Sequence, residues 1–519
     1  MASRKWDRNE AERRIDTRMA EVEEVTIKEY ARETDLTGLP TGTAYRVDGV
    51  HLYIDILNID EMLDSGGVRA HRRTLRFLNL HYRAVRNILL DVEAIQVDFH
   101  NQRLHAVFAK PYGDEVARIH KAVATAKLIC DVLARTGEDS DDPLPAAQVR
   151  VGIDSGKALA VTNGRRGSRE PLFLGEPANL AAKLSGGGTA TGIYMTNSAR
   201  STVEWASVKD EKATKLSDKQ VEESQDKANL GITVDDVIAD WEGDLDKNPI
   251  GSFDFTRHTP PFGSLDLDLL SPKNSRRQEA TSIYADIDGF TKYVAERIED
   301  DESAKDVVRT LHVLRAELDS VLYNDFAGLK IRFIGDCVHG ILVEGTAHTT
   351  DDDETAKNAM LCAAAMRSSF ELAMETLAEE GVDAGNLGLA IGLEHGFLAV
   401  TRLGIKGEMI RCCISRSVLS SEDEQLRCDG SETAIGPELN KSAPDAFKEL
   451  FGEERIRSGF DYDEATLSLE KKTKASTART EGNLLRPATV ATAVASTATA
   501  GFSFPSQAAS PSKIPPGFA

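Results

Sequence analysis

Apolar positions recur along this chain with two periods. The segments "EVARIHKAVATAKLICDVLART" (115 to 136) and "ETAKNAMLCAAAMRSSFELAMETLAEEG" (354 to 381) place apolar residues at i, i+3 and i+4, which predicts a helix over each. Shorter β-rich runs lie between them. "HLYIDILNIDEML" (51 to 63) and "SIYADIDGFTKYV" (282 to 294) are apolar strands that arrive at an aspartate, Asp55 or Asp286, and then turn helical. "VDFHNQRLHAVF" (97 to 108) and "IRFIGDCVHGIL" (331 to 342) are paired runs around a tight turn, the second with the better turn residues in Gly335 and Asp336. "VRVGIDSGKALAV" (149 to 161) and "LAIGLEHGFLAV" (389 to 400) share Gly152/Gly392 and Gly156/Gly396. Three matches in one order, at offsets of roughly 231 to 240 residues, predict two diverged copies of one unit.

Each copy reads strand, helix, hairpin, helix, strand, strand, helix. That order predicts an α+β fold of the ferredoxin-like kind, a largely antiparallel sheet carrying helices. The expected organisation is an N-terminal extension (1–47), a first copy (48–247), an extended linker rich in Pro, Ser and charge (248–278), a second copy (279–473), and an Ala/Ser/Thr/Pro-rich disordered tail (474–519).

Composition narrows the function. The 519 residues, 41% hydrophobic, suffice for two or three cores. A net charge of −22 argues against a sequence-independent grip on nucleic acid or an anionic membrane, either of which needs a basic face. The six cysteines lack C-x-x-C spacing, and no apolar run reaches membrane-spanning length or forms a signal core, so a reducing cytoplasm is the expected location.

The chemistry concentrates in the second copy. Asp286 ends one strand and Asp336 sits in the turn of a neighbouring hairpin, where two carboxylates can converge on hard cations such as Mg²⁺ or Mn²⁺. Gly289 and Gly335 permit close backbone approach, and the N–H groups of Asp288, Gly289, Phe290 and Thr291 can cradle phosphates. The bland alternative makes these aspartates helix caps and turn residues. His105 and His339 hold matched sheet positions that suit packing better than catalysis, and "SGGGTATG" (185 to 192), without a G-K-[ST] ending, suits a turn better than a P-loop. The loop "NGRRGSRE" (163 to 170) reads as a solvated hairpin loop that could reach a triphosphate, and "TTDDDETAKN" reads as a helix start.

With "YADIDGFT" and "IRFIGDCVHGI" the chain resembles the class III nucleotidyl cyclases over roughly residues 48 to 205 and 279 to 430. The resemblance implies two metal ions on Asp286 and Asp336 with the Ile287 carbonyl as auxiliary ligand, and two tandem domains paired head to tail as an intramolecular pseudo-heterodimer. It also implies a transition-state asparagine and, four residues later, a cation; "FLGEPANLAAKL" supplies Asn179 and Lys183 from the first copy. In "CCISRSVLSSED" the corresponding places are expected at Ser417 and Ser421, and the first copy has Asp55 but Gln102 at its second metal position. One composite site is therefore complete and the other expected to be dead. Lysine keeps the charge of the usual arginine but not its planar fork.

The base-reading places of the family fall here on Asp98 and Leu172, which removes the pair expected for adenine. A carboxylate only accepts hydrogen bonds, so Asp98 suits a base edge with an N–H donor, which ranks UTP first, then CTP, GTP and ATP. The layout is also similar to bacterial pyrimidine cyclases of phage defence, which implies a cyclic nucleotide sensed by a separately encoded effector. Rival expectations are an adenylate or guanylate cyclase of ordinary signalling, or a catalytically silent nucleotide-binding homologue.

Overall fold

Two long antiparallel strand pairs organise the molecule. In the computed structural model, which describes residues 4–472 apart from residue 33 and segments 64–66, 138–143, 165–170 and 406–408, Thr43–Ile56 pairs with Val149–Thr162 and Ser275–Asp288 with Gly388–Leu403. Each first strand also pairs with the inner strand of a hairpin, Ile95–His100 and Arg103–Phe108 in one sheet, Leu329–Ile334 and Cys337–Leu342 in the other. Each second strand takes a short parallel neighbour at one end, Gly192–Met195 or Glu432–Ile435, and a short antiparallel one at the other, Pro171–Leu174 or Ile410–Ile414. The two sheets therefore repeat one strand order.

The repetition extends to local detail. Both hairpins carry the same register shift, between Gln96 and Asp98 and between Lys330 and Arg332. Both turns use a left-handed residue, Asn101 (φ 47°) and Gly335 (φ 61°); glycine adopts that conformation without steric cost, and asparagine tolerates it. Helices Gly67–Asp91 and Glu115–Leu133 cover the first sheet, and Asp301–Ser320 and Asp352–Glu379 the second. The acidic run does start a helix: Asp351 accepts from the Glu354 N–H, with Asp352 and Asp353 in the first turn, where the helix dipole favours them.

Residues 248–278 are not an extended linker. Phe262, Leu265, Leu267 and Leu270 are buried with Tyr284, Leu329 and Ile331, the segment runs through three short 3-10 turns, and its last four residues belong to the long strand that starts at Ser275. Its apolar residues follow neither the helical nor the strand period, so periodicity could not reveal that they are anchored. The N-terminal extension is likewise built in. Helix Arg8–Glu21 buries Ala11 and Ile15 against the second half, Trp6 Nε1 donates to Ser369 Oγ (2.7 Å), and Arg14 donates to Glu317 (2.7 Å) and Asp325 (2.9 Å). Helices Asp218–Ala228 and Val234–Lys247 complete the first half, Trp241 donating to the Leu80 carbonyl at 3.1 Å. The tail expected to be disordered, 474–519, lies outside the described residues. All six cysteines are free thiols. Among the described residues no helix is long and apolar enough to cross a membrane.

Candidate active site

Pairing of Val338 with Ala285 sets the hairpin turn that carries Asp336 beside Asp286, near the end of its strand. Asp336 is only 6% exposed, and burial, followed by the charge of Asp286, holds its carboxyl well above the ordinary value of 3.8. The buried Arg315 guanidinium opposes that shift and also donates to the backbone and side-chain oxygens of Asn163 in the first half, each at 3.0 Å. Gln425 Nε2 lies 3.5 Å from Asp286 Oδ2. Ile287 packs its side chain in the core, so only its backbone could serve a ligand. Among the described residues no three His, Cys, Asp or Glu side chains converge as a metal cage; the place offers two carboxylates.

The segment after the strand differs from a capped helix start. Asp288 is exposed and accepts from the Gly430 N–H (3.0 Å) rather than capping the helix, and Gly289 (φ 84°) stands at the N-cap of Phe290–Ala295. Phe290 is buried in the core, which removes its side chain from any phosphate, whereas Thr291 is half-buried.

Asn179 and Lys183 lie on helix Glu176–Ser185, which starts at Gly175 with Pro177 in its first turn. The helix crosses the second long strand at Gly152, where a Cβ would lie 1.9 Å from the Ala181 carbonyl oxygen, so only glycine permits the crossing. It also packs against helix Phe290–Ala295 of the second half, and a Cβ on Gly175 would stand 3.2 Å from Ile298. Asn179 is 1% exposed, and neither oxygen nor nitrogen of its amide has a hydrogen-bond partner among the described residues. An orphaned buried amide is costly unless a ligand completes it. Arg150 fixes the far end of this helix by donating to the carbonyls of Leu184 (2.7 Å), Ala190 (2.9 Å) and Lys212 (2.5 Å) while stacking 3.5 Å from the Tyr194 ring centroid. Sequence reasoning missed Arg150, Arg315 and Gln425; the arginine inside the apolar strand "VRVGI" was the available signal. The segment "SGGGTATG" does form a turn, beginning at the Gly186 C-cap.

The matching place formed around Asp55 and helix Arg416–Leu426 is different in kind. Gly392 meets the Ser421 carbonyl and Gln425 just as Gly152 meets the Ala181 carbonyl and Ser185, and Gly396 meets Ser417 as Gly156 meets Pro177. The helix register therefore matches Asn179 with Leu419 and Lys183 with Asp423, correcting the expectation of Ser417 and Ser421 by two residues. Leu419 is buried, and burial with the charge of Glu422 pushes the Asp423 carboxyl up to about 6. Asp55 is buried facing Arg103, whose guanidinium pairs with Glu422 of the second half. Gln102, expected at the second metal position, is half-buried with its amide oxygen unpartnered among the described residues.

Asp98 is ion-paired with Arg332, and Arg332 Nη1 donates to the Phe99 carbonyl at 2.5 Å. Leu172 pairs with Val161 in its sheet and is buried in an apolar cluster shared with the second half. The strand of Asp98 touches that of Leu172 although the two end the sheet order, and the charge of Asp98 acts on Tyr53, which packs on Ala178, Ala181 and Ala182 of the Asn179 helix. His105 stacks on Tyr53 (3.9 Å between centroids) and His339 on Tyr284 (4.4 Å), both inside the core as their positions predicted. Residues 165–170 of the loop "NGRRGSRE" fall outside the described residues. A cavity of about 690 Å³ opens between the N-terminal arm, residues 263–268 and helix Asp301–Ser320, but Asp286, Asp336, Asn179 and Lys183 do not line it.

Residues 273–417 match the family described as the adenylate and guanylate cyclase catalytic domain. A uridylate cyclase of Pseudomonas aeruginosa is 52% identical over 474 residues, spanning 90% of this chain and 92% of that protein. A uridylate cyclase of a Rhizobium species is 39% identical over 435 residues, 80% of this chain and 82% of that one. The crystal structure of a class III adenylyl cyclase-like ATP-binding protein from Pseudomonas aeruginosa aligns with a TM-score of 0.87 at 52% identity, covering 90% of this chain and 100% of that one.

Proposed function

We propose that this chain, which belongs to the class III nucleotidyl cyclases, converts UTP to 3′,5′-cyclic UMP and pyrophosphate at one composite site. The observation that carries the site is the buried, unpartnered Asn179 on a first-half helix packed beside the second-half segment that follows Asp286. The two halves act as tandem cyclase domains paired within one chain, the second supplying carboxylates and the first the asparagine and lysine.

The donor set fits divalent cations. Asp286, Asp336 and the Ile287 carbonyl are hard oxygen donors that would suit Mg²⁺ or Mn²⁺, and the charge of Asp286, which raises the proton affinity of Asp336, would be offset by a bound cation. Two such ions, when bound, supply neutralisation of the triphosphate and acidification of the ribose 3′-hydroxyl. That hydroxyl attacks the α-phosphorus in line, a new P–O bond forms, the bond to the β-phosphate breaks, and pyrophosphate leaves. Asn179 donates from its amide to orient the reacting groups, Lys183 one turn on offsets charge that grows on the phosphate oxygens, and the backbone N–H groups of Gly289 and Thr291 hold the triphosphate. The product is a second messenger for a separately encoded effector, in antiviral signalling.

Incubation of the full chain with UTP, CTP, GTP and ATP in turn, with Mn²⁺ or Mg²⁺, followed by separation of products, tests the reading. Cyclic UMP should dominate. Predominant cyclic AMP would refute the substrate, and no cyclic nucleotide from any of the four would favour the silent homologue.

A further inference from the structure

We propose that Arg332, contributed by the second half, reads the base in the composite site, and that Asp98 acts by aiming it. The inference rests on the uridylate cyclase reading and deepens it. Asp98 and Arg332 hold corresponding places in the two hairpins, each just past the same register shift and each opposite a histidine, His105 or His339. Between the halves these corresponding residues meet as an ion pair.

A guanidinium has five N–H donors in a fixed fork. One nitrogen of Arg332 is committed to the Asp98 carboxylate and another to the Phe99 carbonyl, which fixes the plane of the fork. Its Nε–H is buried without a partner among the described residues. Each residue of the pair is tied to one part of the site. Asp98 acts on Tyr53 under the Asn179 helix, and its strand touches that of Leu172, while the strand of Arg332 runs directly into the turn that holds Asp336. A donor oriented there recognises an acceptor on the base. Uracil presents a carbonyl oxygen at O4, whereas cytosine and adenine present amino groups at the corresponding edge. An aimed guanidinium left facing an amino group is an unpaired donor, and sites built on such hydrogen bonds reject the mismatched ligand strongly. Arg332 therefore explains a preference for UTP over CTP that an accepting carboxylate alone would not give, because Asp98 would serve the cytosine amino group as well as uracil N3–H.

The test is the ratio of kcat/KM for UTP to that for CTP, measured on the full-length chain with Mn²⁺. In Arg332→Gln the ratio should fall about 10- to 100-fold, mostly through loss of UTP turnover. Asp98→Asn should lower it in the same direction, and adding Asp98→Asn to Arg332→Gln should lower it little further, since one residue works through the other. Arg332→Lys keeps a cation beside Asp98 without the fork, so it also lowers the ratio and covers the case in which the glutamine variant does not fold. An unchanged ratio in either Arg332 variant, or additive effects in the double variant, overturns the inference. Wild-type protein that makes no cyclic UMP overturns the substrate reading; wild type that makes it while Arg332 variants keep the same ratio overturns only the role of Arg332.

Discussion

Arg103 of the first half is paired with Glu422 of the second, and the pair lies against the buried Asp55. The place that corresponds to Asp286 and Asp336 is thus already supplied with a fixed positive charge. Leu419 and Asp423 stand there where Asn179 and Lys183 stand in the other site, and a carboxylate at the position of the lysine repels a triphosphate. The two sites of one fold have taken opposite chemical characters.

Turnover should follow that asymmetry. Asp336→Asn removes a carboxylate from the proposed site and should lower cyclic nucleotide formation by about 100-fold or more, whereas Asp55→Asn should leave it within about 3-fold, in the range of context-dependent side effects. Equal losses in steady-state pyrophosphate release would mean that both sites turn over.

The same pair makes a stability prediction. Glu422 is buried and Arg103 is largely shielded, so removing one partner strands a charge: Arg103→Met or Glu422→Met should each destabilise by about 3–5 kcal/mol. The double variant Arg103→Met/Glu422→Met should recover most of that loss, because no buried charge is then left unmatched except Asp55. Urea unfolding of the four proteins gives the coupling directly; additive losses would show that the pair is not coupled.

Asp336 makes the metal-free protein sensitive to pH. Its carboxyl is raised above 3.8 in the folded state by burial and Asp286, so between that value and the folded one only the unfolded chain ionises. Unfolding then releases a proton, and this group's contribution to stability falls as pH rises through the window, remaining lost above it. Asp336→Asn abolishes the penalty. In chelator, the melting temperature of the wild type should fall relative to Asp336→Asn as pH rises from 4 to 7, and Mn²⁺ should close the gap. A constant difference across that range would remove Asp336 as its source.

How much of this was legible follows from where each piece of information resides. Asp286 and Asp336 stood out because strand and turn signals are local and were repeated at matching offsets, whereas Asn179 was named through the family resemblance. The two-residue error at Ser417 and Ser421 arose because the helix register is set where the backbone crosses Gly152 and Gly392, a contact between segments roughly 30 residues apart that a linear alignment cannot weigh. Arg103, Arg315 and Arg332 were invisible for a stronger version of that reason, since each finds its partner in the other half of the chain. The expected linker failed because anchoring by Phe262 and its neighbours needs no period at all.

Asn179 offers the sharpest separation of stability from function. Its buried amide lacks a partner on either atom among the described residues, and such a group costs about 1–3 kcal/mol relative to a satisfied one. The adjoining Ala178, Ala181 and Ala182 are small and apolar, so a leucine, with the same branched arrangement of heavy atoms, meets no new polar group. Asn179→Leu should therefore leave the melting temperature of the ligand-free protein unchanged or raise it by a few degrees, while turnover falls by about 100-fold, the usual cost of one preorganised donor. Lys183 is the control on the same helix, one turn on and half-buried. Lys183→Met should lower kcat with little change in melting, and Lys183→Arg should retain or increase it, because the charge is kept and a planar fork is added. Differential scanning calorimetry beside initial-rate kinetics decides the matter: an Asn179→Leu protein that melts several degrees lower would mean that the amide is satisfied within the fold, and its place as a ligand-facing group would be lost.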